Sequence, residues 1–287
     1  MKTIEINQIE YQFCDHINDD PALLAGFNAL ATESFGISFA SVGGDYEPHV
    51  LICDGRVVAN VSVNQIPFIR DGQRILLIQL GTVMTHPDYR GRGLSRWLME
   101  QILDRWQGNC DGIYLFANDG VLDFYPKFGF RSASEWECRV RVPRRSGTLR
   151  QLNMDDHADW ALLWEKFARG NPYSALYMTD NHALLNFYAG GFRRDCFYYA
   201  AEYDLVLALE EDEGLWCLDI FGRSDVPLAD ALALLPPSEN GEIRLGFSPR
   251  EAVGTLLPHR EEDTTLFVLG DDPFAGAQRM FPLLSHA

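Results

Sequence analysis

The first part of the chain alternates between apolar segments and polar turns, and this pattern predicts strands with one helix among them. Apolar positions alternate loosely over residues 4–13, which predicts a first strand. Residues 19–36 open with Asp-Asp-Pro and continue with apolar residues at helical spacing. They predict a capped helix that ends near Gly36.

Two Asp-Gly pairs lie between apolar runs. Asp54 with Gly55 predicts one β-hairpin, and the pair at 71–72 predicts a second. The second turn leads into a long apolar strand over residues 74–87, which Gly81 interrupts. A lone glycine inside a strand indicates a bulge, or the close approach of another backbone or of a ligand.

The rest of the sequence continues the α/β pattern. The first half is expected to go on with a helix, a buried strand, a short helix that stops at Gly129 and a closing strand, at residues 93–107, 112–117, 118–129 and 135–143. A polar segment marked by proline and glycine predicts a linker at 144–150. The second half is expected to contain helices at 155–170, 180–191 and 229–237 and strands at 196–203, 205–211, 214–222, 241–247 and 264–270. Trp160 and Trp164 are expected to face its core.

Length and composition fit two domains. At about 100–200 residues per domain, the 287 residues predict one domain at 1–143 and another at 151–287. Hydrophobic residues make up 47% of the chain, which is enough for a substantial core. No apolar run approaches the roughly 18–20 residues that a membrane helix needs, and the acidic N-terminal stretch does not look like a signal peptide. We therefore expect a cytoplasmic protein without a membrane partner.

The charge argues against a nucleic-acid-binding protein, and the cysteine pattern argues against a metal-binding one. The formal charge of −17 argues against nucleic acid as a partner, because binding to phosphates relies on lysine and arginine. The same charge is compatible with a cationic substrate. The six cysteines form no Cys-x-x-Cys pair and do not cluster with histidine. We expect buried, reduced thiols and no metal site.

A loop rich in arginine and glycine precedes the helix predicted at 93–107. Arg90, Arg92 and Arg96 lie around Gly91 and Gly93. The first backbone N–H groups of a helix have no intrahelical partner and lie at the positive end of its dipole. Glycines let an anion approach those groups, and arginines add charge-assisted hydrogen bonds. The loop therefore predicts a pyrophosphate site, with a plain surface turn of solvated arginines as the alternative.

This loop resembles the acyl-CoA loop of the GCN5-related N-acetyltransferase (GNAT) superfamily. The superfamily pattern is Gln/Arg-x-x-Gly-x-Gly/Ala, and here it runs from Arg90 to Ser95. Ser95 departs from the pattern, although serine is also small and can donate a hydrogen bond to a phosphate.

A second motif strengthens the resemblance. The superfamily often has an asparagine, a tyrosine seven residues later and then a Gly-Phe pair. Here these are Asn118, Tyr125, Gly129 and Phe130. The resemblance covers about residues 1–143, and it implies a mixed sheet flanked by helices.

The resemblance also implies a role for each matching residue. The strand that carries Val83 would splay from residues 112–117, and acyl-CoA would lie in the gap. Main-chain groups of Val83, Met84 and Thr85 would pair with the pantetheine arm. The pyrophosphate would lie on the N–H groups of Arg90, Gly91, Arg92, Gly93, Leu94 and Ser95. Asn118 would contact the cofactor, and Tyr125 would protonate the departing CoA thiolate as general acid.

The base that takes the proton of the amine stays open. Some members of the superfamily carry a glutamate eleven residues before the loop, where this chain has Gln79, which cannot act as a base. The alternatives are a bound water, Asp45, Glu47 or His49.

The second half carries no counterpart of the loop and resembles a degenerate, smaller GNAT-like domain, as in tandem-domain members of the superfamily. The implied function is transfer of an acetyl group from acetyl-CoA directly to the amine of a small molecule or a peptide, without a metal. A non-catalytic acyl-CoA sensor and an enzyme of the same fold with another acyl donor are the alternatives. The sequence predicts neither the identity of the acceptor nor the oligomeric state.

Overall fold

The computed structural model describes residues 1–39, 44–238 and 240–286, which form two β-sheets with helices packed on them. The strands are β1 (Lys2–Ile6), β2 (Ile9–Cys14), β3 (Tyr46–Cys53), β4 (Arg56–Arg70), β5 (Gln73–Thr85), β6 (Gly112–Ala117), β7 (Arg131–Ser132), β8 (Glu135–Val140), β9 (Arg150–Gln151), β10 (Leu176–Met178), β11 (Phe197–Ala200), β12 (Leu205–Glu211), β13 (Leu215–Gly222), β14 (Ile243–Leu245), β15 (Thr255–His259) and β16 (Thr265–Leu269). The helices are α1 (Pro21–Phe35), α2 (Leu94–Trp106), α3 (His157–Phe167), α4 (His182–Gly190) and α5 (Leu228–Leu232). Short 3-10 turns lie at Pro87–Tyr89, Asp119–Val121, Tyr125–Phe128 and Leu283–Ser285. Within the described ranges no helix is both long enough and apolar enough to span a membrane.

Local sequence signals produce the predicted elements around the first sheet. Asp20 caps α1 by accepting hydrogen bonds from the N–H groups of Ala22 and Leu23, and Gly36 ends the helix at a φ of 70°. The two Asp-Gly pairs form the β3–β4 and β4–β5 turns, where all four residues have positive φ. The predicted helix and both hairpins are confirmed.

Three local predictions are wrong. Residues 4–13 are not one strand but the β1–β2 hairpin, because Asn7 and Gln8 adopt φ values of 51° and 64° and reverse the chain. The helix predicted after β6 is two separate 3-10 turns. Trp164 does not face the core: it is 40% exposed, and its indole N–H donates to Asn186 Oδ1 at 2.8 Å.

The first sheet has different neighbours on its two faces. Its strand order is β1-β2-β3-β4-β5-β6-β16-β7, and β10 pairs with β4. On one face, Val61 and Val63 of β4 pack in a cluster with α2. On the other face, Val57 packs with α1, whereas Ile66 and Phe68 belong to the core that the two halves of the chain share. The middle of β4 on this second face therefore lies between α1 and the second half.

Each sheet contains a strand from the other half of the sequence. β16 lies in the first sheet between β6 and β7, and β8 lies in the second sheet between β15 and β14. The sequence predicted both segments as strands but placed each in the sheet of its own half. The hydrophobic pattern of a strand indicates that it is buried but not which strand it pairs with. The exchange therefore cannot be predicted from the pattern.

The second sheet repeats the central arrangement of the first. In the first sheet the antiparallel β4–β5 pair carries a bulge, and α2 then leads to β6, which is parallel to β5. In the second sheet β12–β13 carries a bulge, and α5 leads to β14, which is parallel to β13. However, α5 has 5 residues where α2 has 13. The predicted second, smaller α/β unit is confirmed.

The space between β13 and β14 is filled by the chain itself. The last β13–β14 pair is Cys217 with Leu245. The next residue, Gly246, donates its N–H to Cys217 O at 2.8 Å and accepts from Leu283 N at 2.9 Å. Gly246 lies in the bend directly after β14, and the 3-10 turn that begins at Leu283 also contacts β13. Main chain therefore occupies the position where these strands would otherwise part.

A buried ionic cluster fastens β8 to the second sheet. Glu137 is 1% exposed and accepts from Arg139 at 2.6 Å and Arg244 at 2.7 Å, and it lies 3.1 Å from His259 Nδ1. Burial would raise the pKa of Glu137, but these donors outweigh it and lower the pKa to about 2. Burial opposes charge on His259, but the carboxylates of Glu137 and Glu261 outweigh it and raise the pKa of His259 to about 9. The cluster is therefore ionised across neutral pH.

The strand exchange predicts that the first half does not fold alone. A 1–143 fragment lacks β16, which separates β6 from β7 in the first sheet. We expect this fragment to show no cooperative thermal transition by circular dichroism, and to gain one when a 144–287 fragment is supplied in trans. A cooperative transition of the 1–143 fragment by itself would contradict the expectation.

The ionic cluster predicts a pH-dependent effect of His259→Gln. The pKa of about 9 in the folded protein exceeds the ordinary value near 6.5, so the stabilisation is fully present below about pH 6.5 and is lost as pH rises through about 9. We expect the variant to lose on the order of 2 kcal/mol in the free energy of unfolding near pH 6, and less near pH 10. Urea unfolding at both pH values measures this, with the exposed His157→Gln as control. A loss that does not change with pH would contradict the assignment.

Candidate functional site

Strands β5 and β6 run parallel and then part. Their last pair is Leu80 with Leu115. β5 continues to Thr85 and β6 to Ala117, and no backbone hydrogen bond joins these continuations in the part of the chain that the structure describes. The gap that the resemblance implies beside Val83 is confirmed.

A bulge on β5 lies at this gap. The β4–β5 register shifts between Asn60 and Ser62, so that Thr82 and Val83 together oppose one residue of β4. Thr82 has a φ of 41°, which for a β-branched residue costs on the order of 1–3 kcal/mol. The bulge that Gly81 indicated is confirmed, and the strained residue is the one after it.

Three side chains hold Thr82 in this conformation. Its Oγ1 lies 3.0 Å from Asn60 Nδ2, 2.6 Å from Ser62 Oγ and 2.9 Å from the hydroxyl of Tyr46. Asn60 Nδ2 also donates to Thr82 O at 2.8 Å. At about 0.5–1.5 kcal/mol for each hydrogen bond, the set is of the same order as the strain.

The loop from β5 to α2 leaves the start of the helix open. Gly91 and Gly93 have φ values of 74° and 83°. The first intrahelical bond is from Trp97 N to Gly93 O at 3.0 Å, and no side chain in the described ranges caps the helix. The N–H groups of its first turn therefore have no intrahelical partner.

The space beside these glycines is open as well. A Cβ built on Gly91 would have no protein atom within 4 Å. One built on Gly93 would lie 3.6 Å from Asn7 Nδ2 and 3.9 Å from Ile6. Free N–H groups, a helix dipole and open space together fit a pyrophosphate.

The polar side chains of the loop shape it. Arg90 Nε donates to Thr85 O at 3.2 Å, and Arg92 Nη2 donates to Asp88 O at 2.7 Å. Ser95, which departs from the superfamily pattern, lies 2.6 Å from Thr85 through the two hydroxyls. This contact ties the first turn of α2 to the end of β5.

Tyr125 is buried in the cluster that also contains Leu94 and Ala117. Its ring centroid lies 5.7 Å from that of Phe267 on β16. Burial raises the pKa of Tyr125 to about 12, so its hydroxyl keeps its proton at neutral pH. A general acid needs that proton.

Asn118 is held by a loop of the second half. Its Nδ2 donates to Asp263 Oδ2 at 2.9 Å, and the N–H of Asp119 donates to Asp263 Oδ1 at 2.6 Å. These two donors, the N–H first, lower the pKa of Asp263. A contact of Asn118 with a cofactor stays a prediction.

The three candidate bases lie in different surroundings. Glu47 Oε2 is 3.5 Å from Arg105 of α2. His49 is 3% exposed, and burial lowers its pKa. Asp45 precedes β3, and burial, followed by the charge of Glu47, raises its pKa. Gln79 Oε1 accepts from the hydroxyl of Tyr114 at 3.2 Å.

The cysteines are unpaired thiols. Cys14, Cys138 and Cys217 are buried, and the others are half-buried. Within the residues that the structure describes, no group of three or more His, Cys, Asp or Glu side chains is placed to hold a metal ion.

Sequence reasoning missed the partners of Thr82 and the loop of Asp263. Asn60, Ser62 and Asn64 alternate with apolar residues in β4, and this period of two is a signal for polar positions on one face. Asp263 gives no comparable signal, because 145 residues separate it from Asn118.

Comparison with known proteins gives one family match and a shared fold. Residues 45–132 match the family model of the acetyltransferase (GNAT) domain. No curated protein matches the chain in sequence.

Solved structures resemble the chain over both halves. A probable N-acyltransferase from Enterococcus faecalis is 13% identical, with a TM-score of 0.56 over 89% of this chain and 71% of that one. A GCN5-related N-acetyltransferase from Kribbella flavida is 14% identical, with a TM-score of 0.55 over 90% and 71%. Eis1 from Mycobacterium abscessus is 13% identical, with a TM-score of 0.54 over 89% and 72%. At these identities the likeness shows the fold.

Proposed function

We propose that this chain, whose residues 45–132 form an acetyltransferase (GNAT) domain, transfers the acetyl group of acetyl-CoA to the amine of a small molecule or a peptide. The domain and the fold support acyl transfer in general. Acetyl-CoA as donor, an amine as acceptor and the roles of the individual residues are proposed.

One observation carries it: the uncapped N-terminus of α2 lies directly after the gap between β5 and β6. Gly91 and Gly93 keep that end accessible. A pyrophosphate on the N–H groups of residues 90–95 would continue into a pantetheine arm along Val83, Met84 and Thr85. An extended ligand with an anionic end and a linear arm matches this arrangement.

The reaction forms a bond from the amine nitrogen to the acetyl carbon and breaks the carbon–sulfur bond of the thioester. A neutral amine is needed for attack, so a base takes one proton from it. Among the candidates, Asp45 has a raised pKa, whereas Glu47 is paired with Arg105. Glu47 is therefore the least available of the three, and the base is proposed to be Asp45, His49 or a bound water.

The departing thiolate needs a proton, and Tyr125 is assigned to supply it. Its raised pKa keeps the hydroxyl protonated. A thiol has an ordinary pKa near 8.5, so proton transfer from Tyr125 to the thiolate is uphill by itself. A proton from solvent or from the amine then restores the phenol of Tyr125. The thioester oxygen gains negative charge, which the bulge N–H groups near Val83 would stabilise.

The anion site predicts a difference between Gly93→Asp and Gly93→Asn. Both variants place a side chain at a φ of 83°, but only aspartate adds a negative charge. We expect the Kd for acetyl-CoA to be about tenfold or more higher in the aspartate variant than in the asparagine variant, from like-charge repulsion. Calorimetric titration measures both.

Equal Kd values for the two variants would place the anion elsewhere. If folded wild-type protein binds neither acetyl-CoA nor acyl-CoAs of other chain lengths, the proposed function fails. Preference for a longer acyl chain would favour another donor on the same fold.

The assignment of the acid predicts that Tyr125→Phe lowers kcat by about 10²–10⁴-fold while the Kd for acetyl-CoA changes little. Release of CoA thiol with a panel of amines measures kcat, and Tyr203→Phe, in the second half, is the matched control. Unchanged kcat in Tyr125→Phe would remove this residue from the mechanism. Binding without thiol release in the wild type would favour a sensor.

A further inference from the structure

Thr82 has an unusual backbone conformation. Ten non-glycine residues of the described ranges have positive φ: Asn7, Gln8, Asp54, Asp71, Thr82, Asp180, Asp204, Glu213, Asp263 and Ala275. Thr82 alone of these is β-branched, and it alone lies inside a strand. Strain of this kind persists where the surroundings determine it.

We infer that Asn60, Ser62 and Tyr46 act through Thr82 as positioning residues, holding the bulge so that its backbone N–H groups meet the oxygen of the thioester. This inference rests on the proposed function. It assigns a role to side chains that lie outside the loop and outside the Asn118–Tyr125 segment.

The hydrogen bonds show how the bulge is held. Asn60 and Ser62 are alternate residues of β4, both fully buried, and they share one face of the sheet. Asn60 Nδ2 reaches Thr82 O at 2.8 Å and Ser62 Oγ at 3.0 Å. Ser62 and Tyr46 then fix Thr82 Oγ1 from two sides. Main chain and side chain of Thr82 are therefore both restrained.

The restraint on Thr82 also sets the direction of the backbone at the gap. Thr82 and Val83 oppose a single residue of β4, so the ladder cannot pair both in the regular way. β6 no longer pairs with β5 at this point. The bulge leaves its extra residue outside the β4–β5 ladder, and the direction of the backbone N–H groups there depends on the conformation of Thr82.

The side chains that hold Thr82 should act on one part of the ligand and not on the other. The side chains of Asn60, Ser62 and Tyr46 bond to Thr82, and not to the main-chain groups of residues 83–85 or to the loop of residues 90–95, which are the proposed contacts of CoA. We therefore expect them to affect the affinity for CoA itself only slightly. They should affect the polarisation of the acyl carbonyl, which CoA lacks. A purely structural role would predict no such separation.

A matched pair of variants tests this. Thr82→Val keeps the shape and removes Oγ1, whereas Thr82→Ser keeps Oγ1. The probe is acetyl-CoA labelled with carbon-13 at the carbonyl, observed by NMR in complex with the full chain. We expect a downfield shift of the bound resonance in the wild type and in Thr82→Ser, and loss of most of that shift in Thr82→Val. The Kd for CoA should agree within about threefold among all three proteins, a change smaller than one ordinary hydrogen bond.

Kinetics supply the second readout. With an amine that supports thiol release, Thr82→Val should lower kcat by about 10- to 100-fold, with the KM for acetyl-CoA little changed, because small misplacements of reacting groups have effects of this size. Thr82→Ser should retain most of the activity. If Thr82→Val does not fold, Tyr46→Phe removes one partner of Thr82 and keeps the ring that stacks on Phe39 at 5.6 Å, with a smaller loss expected in both readouts.

The outcomes distinguish the two proposals. No binding of CoA or acetyl-CoA to the wild type would defeat the proposed function. Tight binding with the same carbonyl shift and kcat in Thr82→Val as in the wild type would overturn the positioning role and leave the proposed function standing.

Discussion

The parting of β5 from β6 after Leu80 and Leu115 is the constraint on which the rest of the site depends. Paired strands leave no room between them, and unpaired backbone groups need other partners. The bulge at Thr82 redirects β5, and the loop with Gly91 and Gly93 brings the start of α2 to the end of the gap. Side chains on the neighbouring strand hold the bulge, so gap, bulge and helix end form one connected arrangement.

Each half contains a pair of parallel strands joined through a helix, but the space beyond the paired residues differs between the two halves. In the second sheet, Leu283 bonds to Gly246 and fills the space beside β14, and the helix α5 is short. In the first sheet the pairing of β5 with β6 ends before the bulge, and α2 is longer. Residues of the second half also contact the first: Phe267 of β16 packs against Tyr125, and Asp263 in the preceding loop accepts a hydrogen bond from Asn118.

Local chemistry explains why part of the structure could be predicted. Asp20, Gly36 and the Asp-Gly turns act within a few residues, so their effects are readable in the sequence. The turn at Gly91 and Gly93 is local in the same way, and their positive φ values agree with the glycine pattern. The exchange of β8 and β16 is not, because burial gives a strand its pattern whichever sheet it joins. The hydrogen bonds to Thr82 depend on where the bulge shifts the β4–β5 register. Gly81 indicated a bulge but not which β4 side chains would lie against it.

Hydrogen exchange of the backbone amides with and without acetyl-CoA is the most direct test of the central claim, that the N-terminus of α2 and the bulge on β5 together hold the acyl donor. We expect saturating acetyl-CoA to slow exchange at residues 82–85 and 91–96, and to leave residues 223–230, before and within α5, unchanged. Slowing confined to the second half, or no slowing at residues 91–96 at saturation, would contradict the claim.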